Sequence, residues 1–217
     1  MRYAFAPGVF ACIADGRLVL LNLALDRYLM LPPGQEASLR RLLNHEPDTP
    51  GDHDVRERLC TCGLVLTTAG GPAAALCTSE PATASLLDQD RQRPPASGVA
   101  LAGLATLRAS VRLQVVGLEG AIRHVASIPI PETNDYEAVV RQSSAFASLR
   151  LAIRSLDRCL PLSLALAGSC RPLQGNVRLI LGVRCNPFGA HAWVQLGHTI
   201  LNDHLEAVRP FTPILVV

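Results

Sequence analysis

The chain contains no lysine: all 20 of its basic residues are arginine. A Gly-rich loop ending in Lys, the common cradle for nucleotide phosphates, is therefore excluded. Charge of one sign is short as well. The net charge is +2, and splitting the chain at Glu80 sets 7 arginines against 9 acids, then 13 against 9. No block is dense enough to form a phosphate-binding stripe, which argues against a nucleic-acid partner. Met1 is not followed by a secretory n-region and h-region, and 7 cysteines cannot all pair. Together these features predict a reduced, cytoplasmic protein. The stretch 16–31 is interrupted by Asp26 and Arg27, so no segment is expected to cross a membrane.

What is present is apolar sequence, 49% of residues, enough to build a packed core in one domain or two small ones. Near the N-terminus, Val9–Ala14 and Arg17–Asn22 flank Asp15-Gly16, a strong hairpin signal. Arg27–Leu31 can form a third strand, ended by Pro32-Pro33. Residues 34–43 read as a helix with Leu39, Leu42 and Leu43 on its apolar side. Asp52 is placed to cap a second helix through Cys60, with Val55 and Leu59 one turn apart, and Leu64–Leu66 reads as a short strand. The expected shape is a winged-helix-like module. Its second helix sets Asp52, Asp54 and Glu57 against Arg56 and Arg58, which suits phosphates poorly. An extended peptide added to the sheet edge suits it better.

Residues 69–98 hold Gly70-Gly71-Pro72, small residues and Pro94-Pro95, and are expected to form a loosely packed linker between units at 1–68 and 99–217. Leu101–Leu118 then predicts a helix. Asn134 or Asp135 can cap another, running to about Leu156 and leading to Cys159.

Chemistry concentrates in the last sixty residues. Pro161 fits only the first turn of a helix, so Cys159 should lie at a helix N-terminus, where exposed N–H groups and the dipole favour a thiolate. The following Leu162–Ala167 is almost wholly apolar and predicts a buried helix. Val177–Arg184 and Ala190–Leu196 read as strands, with His191, Trp193 and Gln195 on one face of the second. A tight turn at Gly197-His198 returns the chain through Thr199–Asn202. Counting outward from that turn, Asp203 opposes Ala192, which puts it on the wrong face for His191. A bulge or a longer loop would have to correct this. A thiol nucleophile, a histidine base and a carboxylate to orient it form a sufficient set for acyl chemistry, but spacing alone also allows three scattered structural residues. His204 is a competing base. Cys60, Cys62, Cys77 and His53 are spaced too tightly for a zinc site, and no metal is expected.

The run Cys159-Leu160 with Ser163-Leu-Ala-Leu, the Leu-Gly-Val strand, Pro187-Phe-Gly-Ala-His-Ala-Trp-Val, and Ile200-Leu-Asn-Asp together resemble the lasso-peptide biosynthesis B proteins. Their catalytic half belongs to the transglutaminase-like, papain-related superfamily. The resemblance covers roughly Asp135–Val217 and implies an α+β fold in which a buried helix packs on an antiparallel sheet. It assigns nucleophile, base and orienter to Cys159, His191 and Asp203. It further implies removal of a leader peptide from a lasso precursor, ahead of macrolactam closure by an asparagine-synthetase-like cyclase, with ATP dependence in many members. Gln195 stands where relatives commonly carry Glu. The N-terminal part resembles the precursor-recognition domain of peptide-modifying systems. That likeness implies a leader held by Arg27, Tyr28, Leu29, Met30 and Leu31 of the third strand and by Val55 and Leu59 of the second helix. Trp193 is a candidate wall of the cleft. The same three residues would equally serve an acyl transferase, and a vestigial cleft would leave only a leader-binding scaffold.

Overall fold

The computed structural model describes residues 2–68, 74–88, 94–131, 134–152 and 159–217. An N-terminal α/β module contains β1 (Arg2–Phe5), β2 (Val9–Ala14), β3 (Arg17–Asn22), β4 (Arg27–Met30), α1 (Pro33–Leu43), α2 (Asp52–Thr61) and β5 (Val65–Thr68). Asp15 and Gly16 both take positive φ, the backbone of a type I′ turn, and the β2–β3 hairpin closes on them. β4 pairs with β3 and leaves its other edge at the margin of the three-stranded sheet. β1, which pairs with β5, was not anticipated, because its four residues carry no pattern of their own. Asp52 is the first residue of α2 and not its cap; Gly51 precedes it with φ 93°. Its carboxylate instead accepts from the Thr49 N–H at 2.7 Å and from Arg41 at 2.5 Å, tying α1 to α2.

The alternation of side chains on β2 and β3 gives this sheet two covered faces. Val9, Ala11, Leu18 and Leu20 pack with Leu39 and Leu59 into the core of the module. Cys12, Ala14, Val19 and Leu21 face the other way, into the core of the C-terminal region.

That region comprises β6 (Ala84–Ser85), α3 (Ala96–Ala126), α4 (Tyr136–Ala152), α5 (Cys159–Cys170), β7 (Val177–Cys185), β8 (Phe188–Leu196), β9 (Thr199–Ile200), α6 (Leu205–Val208) and β10 (Thr212–Val216). Its sheet has the order β10-β7-β8-β9-β6, antiparallel except for β6, which runs parallel to β9. α5 lies against β7 and β8, with Leu166, Ala167 and Cys170 fully buried. Burying a leucine of this kind contributes roughly 1.5–3 kcal/mol. The Asp135 carboxylate caps α4 by accepting the Ala138 N–H, as expected. The anticipated end of that helix near Leu156 lies outside the described residues.

Two expectations are corrected. In its described part, the segment read as a loose linker is stitched to both units. Ala74 and Cys77 donate to Tyr3 and Ala11, Thr83 donates to His198, and β6 completes the sheet. Small side chains let this backbone lie close against its neighbours. Also, α3 is longer than the expected 101–118 and, by length and composition, apolar enough to cross a membrane. It is broken at Gly117, whose φ of 70° is open to glycine without a Cβ clash. Ala102, Thr106, Leu118, Ala121, Ile122 and Val125 are buried.

Candidate active site

The α5 helix begins at Cys159, so the thiol sits where backbone N–H groups have no partner within the helix. The Leu160 N–H and the backbone of Ala192 reach its sulfur, and His191 is hydrogen-bonded to it. Burial alone pushes a thiol upward: Cys12, helped by Cys77 and Cys185, and Cys170 both rise to about 12. Burial acts in the same direction at Cys159, but the hydrogen bond and charge of His191 and the two backbone contacts outweigh it, and the thiol falls below its ordinary value.

His191 projects from β8 opposite Gly182 of β7. Its Nε2 meets Asp203 Oδ2 at 2.7 Å, which leaves Nδ1 for the thiol. Burial disfavours the imidazolium, yet Asp203 and Cys159 together raise its pKa to about 9. Trp193, stacked 6.2 Å from the imidazole, and Phe211, 5.1 Å away, flank the ring. Trp193 is only 2% exposed and packs with Ile180, Ile200 and Val208, so it backs the histidine and does not line an open cleft. That corrects its expected place as a cleft wall. Gly182 makes the arrangement possible, since a Cβ there would lie 2.6 Å from the Trp193 ring.

The register difficulty at Asp203 is resolved by ending the ladder early. β9 stops at Ile200, and Leu201 still donates to Val194. The Val194 N–H is then taken by the side chain of Asn202, at 2.8 Å, in place of a backbone carbonyl. Freed from the pleat, the chain bends and Asp203 swings beneath His191. Asn202 Nδ2 also donates to Ser163 on α5, and the Ser163 hydroxyl donates to the Ala192 carbonyl, each at 2.8 Å. The helix bearing the thiol and the strand bearing the imidazole are thus locked by one polar chain. Ser163 is fully buried within the apolar run Leu162–Ala167. A hydroxyl in the middle of that run was the available signal for it.

Asp203 is 2% exposed and fully engaged. Its Oδ1 accepts from Arg150 at 2.5 Å and from the His204 N–H at 2.7 Å. Burial opposes its ionisation, but His191 first and then Arg150 hold it below the usual carboxylate range. Arg150, from α4, also donates to the Asn202 carbonyl at 2.9 Å. Nothing in the sequence pointed to it. His204 is removed as a competing base, because its Nδ1 lies 2.6 Å from Asp88. Gln195 donates to the carbonyls of Glu80 and Gly197, at 2.9 and 2.6 Å, and so fixes the hairpin end against the preceding segment.

The expected leader-binding residues divide between surfaces. Leu31 and Leu59 are buried in the module core, with Leu29 and Val55 partly buried against it. They do not form one open groove with the rest. Tyr28 turns to the opposite face and makes an edge contact with Phe188, centroids 5.8 Å apart, close enough to Cys159 for the thiol to help raise its pKa, after burial and Asp26, to about 12. Arg27 and Met30 are exposed. Among the described residues no group of His, Cys, Asp and Glu is placed to hold a metal.

A cysteine at the start of a buried helix, packed on a sheet whose strand β8 carries a histidine bonded to an aspartate just past β9, is the arrangement of a papain-like class of cysteine enzyme. The chain belongs to the transglutaminase-like superfamily, which it matches over residues 103–216, just over half its length. It is accordingly a cysteine enzyme, and the domain is the hallmark of the lasso-peptide B-type proteins that the sequence resembles, which supports a role in maturing ribosomally made peptides. No curated protein and no solved structure matches the chain.

Proposed function

We propose that the protein is a cysteine endopeptidase that removes the leader from a lasso-peptide precursor in the cytoplasm, before an asparagine-synthetase-like cyclase closes the macrolactam. The observation that carries this reading is the imidazole of His191, held by Asp203 on one nitrogen and bonded to the Cys159 thiol on the other. The Cys159 thiolate attacks the scissile carbonyl, and the negative charge passes to the carbonyl oxygen. His191 then gives its Nδ1 proton to the departing amine, which becomes the N-terminus of the core peptide. The leader remains as a thioester on Cys159. A water, deprotonated by His191, releases it as a carboxylate and regenerates the thiol. Asp203, itself braced by Arg150, keeps the ring in register throughout.

The residues 1–68 serve as the recognition part and 99–217 as the catalytic part. Edge strand β4 has an open side, and a leader segment added there as a further strand would place alternate side chains against α2 and against the catalytic region. The two parts share a core and are tied where Cys185 donates its N–H to Asp15 at 2.8 Å. A leader held on β4 is therefore presented to Cys159 from a fixed distance.

The test is mass spectrometry of precursor peptides incubated with the protein, beside Cys159→Ala. One cut by the intact protein alone, yielding free leader, is expected. Transfer of the leader acyl group to an added amine in preference to water would replace the peptidase by an acyl transferase, and cutting by Cys159→Ala would remove the thiol from the mechanism.

A further inference from the structure

On the flank of α5 away from Cys159, the two segments of the broken α3 enclose a cavity of about 280 Å³. Its floor is apolar and includes Ala109, Ala121, Val125 and Leu164. Its polar wall is Arg108 and Arg112 from the segment before Gly117, His124 from the segment after it, and Ser169 of α5. No aspartate or glutamate lines it.

The two arginines stand one helical turn apart, a spacing at which like charges repel and destabilise a helix. Neither side chain has an ion pair or hydrogen bond among the described residues, and the same holds for the His124 ring. Arg123, on the same helix, shows the ordinary surface solution: it pairs with Glu119 one turn away at 2.5 Å. Burial, and then the charge of Arg112, make His124 harder to protonate. Three donor-bearing side chains from two helical segments therefore border one concave space that no carboxylate lines, and its one further polar side chain is the Ser169 hydroxyl, which donates to the Ala165 carbonyl.

We propose that this cavity binds an organic phosphate, its oxygens held by Arg108, Arg112 and His124 and its body laid on the apolar floor. Guanidinium forks match phosphoryl oxygens, and a phosphoryl group offers one oxygen to each of three donors where a carboxylate has only two. The floor takes a flat or aliphatic body, as small-molecule sites do. Leu164 and Ala165 in that floor belong to the helix that begins at Cys159, so a bound ligand braces the helix that carries the nucleophile. Two sources share this chemistry. One is a soluble organic phosphate. The other is a phospholipid headgroup, since Leu101, Leu104, Leu107 and Val111 are exposed on the same helix.

The test is isothermal titration of the full chain at constant ionic strength with inorganic phosphate, phenyl phosphate, adenosine triphosphate and, separately, vesicles containing phosphatidic acid. The comparison protein is Arg108→Gln/Arg112→Gln, both exposed positions, with its fold checked by circular dichroism. Saturable binding of at least one soluble organic phosphate or of the vesicles is expected, weakened about ten-fold or more in the double variant. The His124 ring, followed by NMR, should titrate at higher pH when the ligand is bound. Which arm binds identifies the source. Absence of binding in every arm at millimolar ligand, or equal affinity in the double variant, overturns the proposal. Should the double variant not fold, Arg112→Gln alone makes the same comparison. Because the readout is binding, the result does not depend on whether the protein cleaves a precursor.

Discussion

The two ends of the chain use hydrogen bonds in opposite ways. Around Cys159 every polar group that matters is occupied: Asp203 has three partners, and Asn202 and Ser163 form an unbroken chain from α5 to β8. In the N-terminal module the corresponding feature is an edge strand, β4, with one side open. A saturated network holds a few atoms in one geometry, which is what acyl chemistry requires. An open edge accepts many sequences through backbone bonding alone and leaves selection to side-chain pockets. On the proposed reading, rigid chemistry and permissive recognition are divided between two cores that meet at the β2–β3 sheet.

The comparison is broken most severely at the saturated end. Cys159→Ala is expected to lower precursor cleavage on the order of 10⁶-fold while leaving leader affinity unchanged, as measured by cleavage kinetics beside fluorescence anisotropy. Equal loss of both would mean that recognition and chemistry are not separable. Asp203→Ala follows, with a loss on the order of 10⁴-fold. The pH profile gives the sign. In the intact protein Cys159 ionises below the ordinary thiol range, and His191 stays protonated until about 9. The reactive ion pair therefore occupies the window between, and activity should fall on the alkaline side near 9. Without Asp203, the residual activity should lose its alkaline limb at lower pH. An unmoved limb would show that Asp203 does not touch the titrating group.

Much of this saturated end was legible in the sequence, though unevenly. Pro161 set the start of α5 and with it the position of Cys159, because a proline is tolerated only in the first turn. Alternation along Ala190–Leu196 put His191 and Trp193 on a common face. Asp203 was singled out but could not be placed beside His191, since pairing rules assume a ladder that continues, whereas Asn202 ends it with its side chain. Arg150 and β6 were invisible for a different reason. Each is defined by a partner more than fifty residues away, Asn202 for the one and β9 for the other, and carries no local pattern. The residues expected to hold a leader were the hardest to arrange, because their neighbourhood in sequence conceals that alternate residues of one strand face different cores.

Gly182→Ala is a smaller perturbation and sharpens the account of how His191 is held. Its new methyl group would meet the Trp193 ring at 2.6 Å and Phe211 at 3.1 Å, the two rings flanking the imidazole. Overpacking of this kind costs about 1–3 kcal/mol, read as a lower denaturation midpoint. If rigidity at the saturated end serves catalysis, kcat should fall while KM for the precursor stays level. A fully active, merely less stable variant would show that the rings have slack.

The smallest expected effect lies where the two cores meet. Tyr28 belongs to β4 by its backbone and to the catalytic region by its ring, which meets Phe188 edge-on at 5.8 Å. Such a ring pair contributes about 0.5–1.5 kcal/mol beyond its burial, so Tyr28→Ala should loosen the coupling without unfolding either part. The affinity for isolated leader should be unchanged, because the free edge of β4 is intact, while kcat/KM for the full precursor should drop about three- to ten-fold. Tyr28→Phe keeps the ring contact and should behave as the original protein. Loss of leader affinity in Tyr28→Ala would instead place the tyrosine in the recognition surface itself, with the leader reaching across the edge of the sheet into the space beside Cys159.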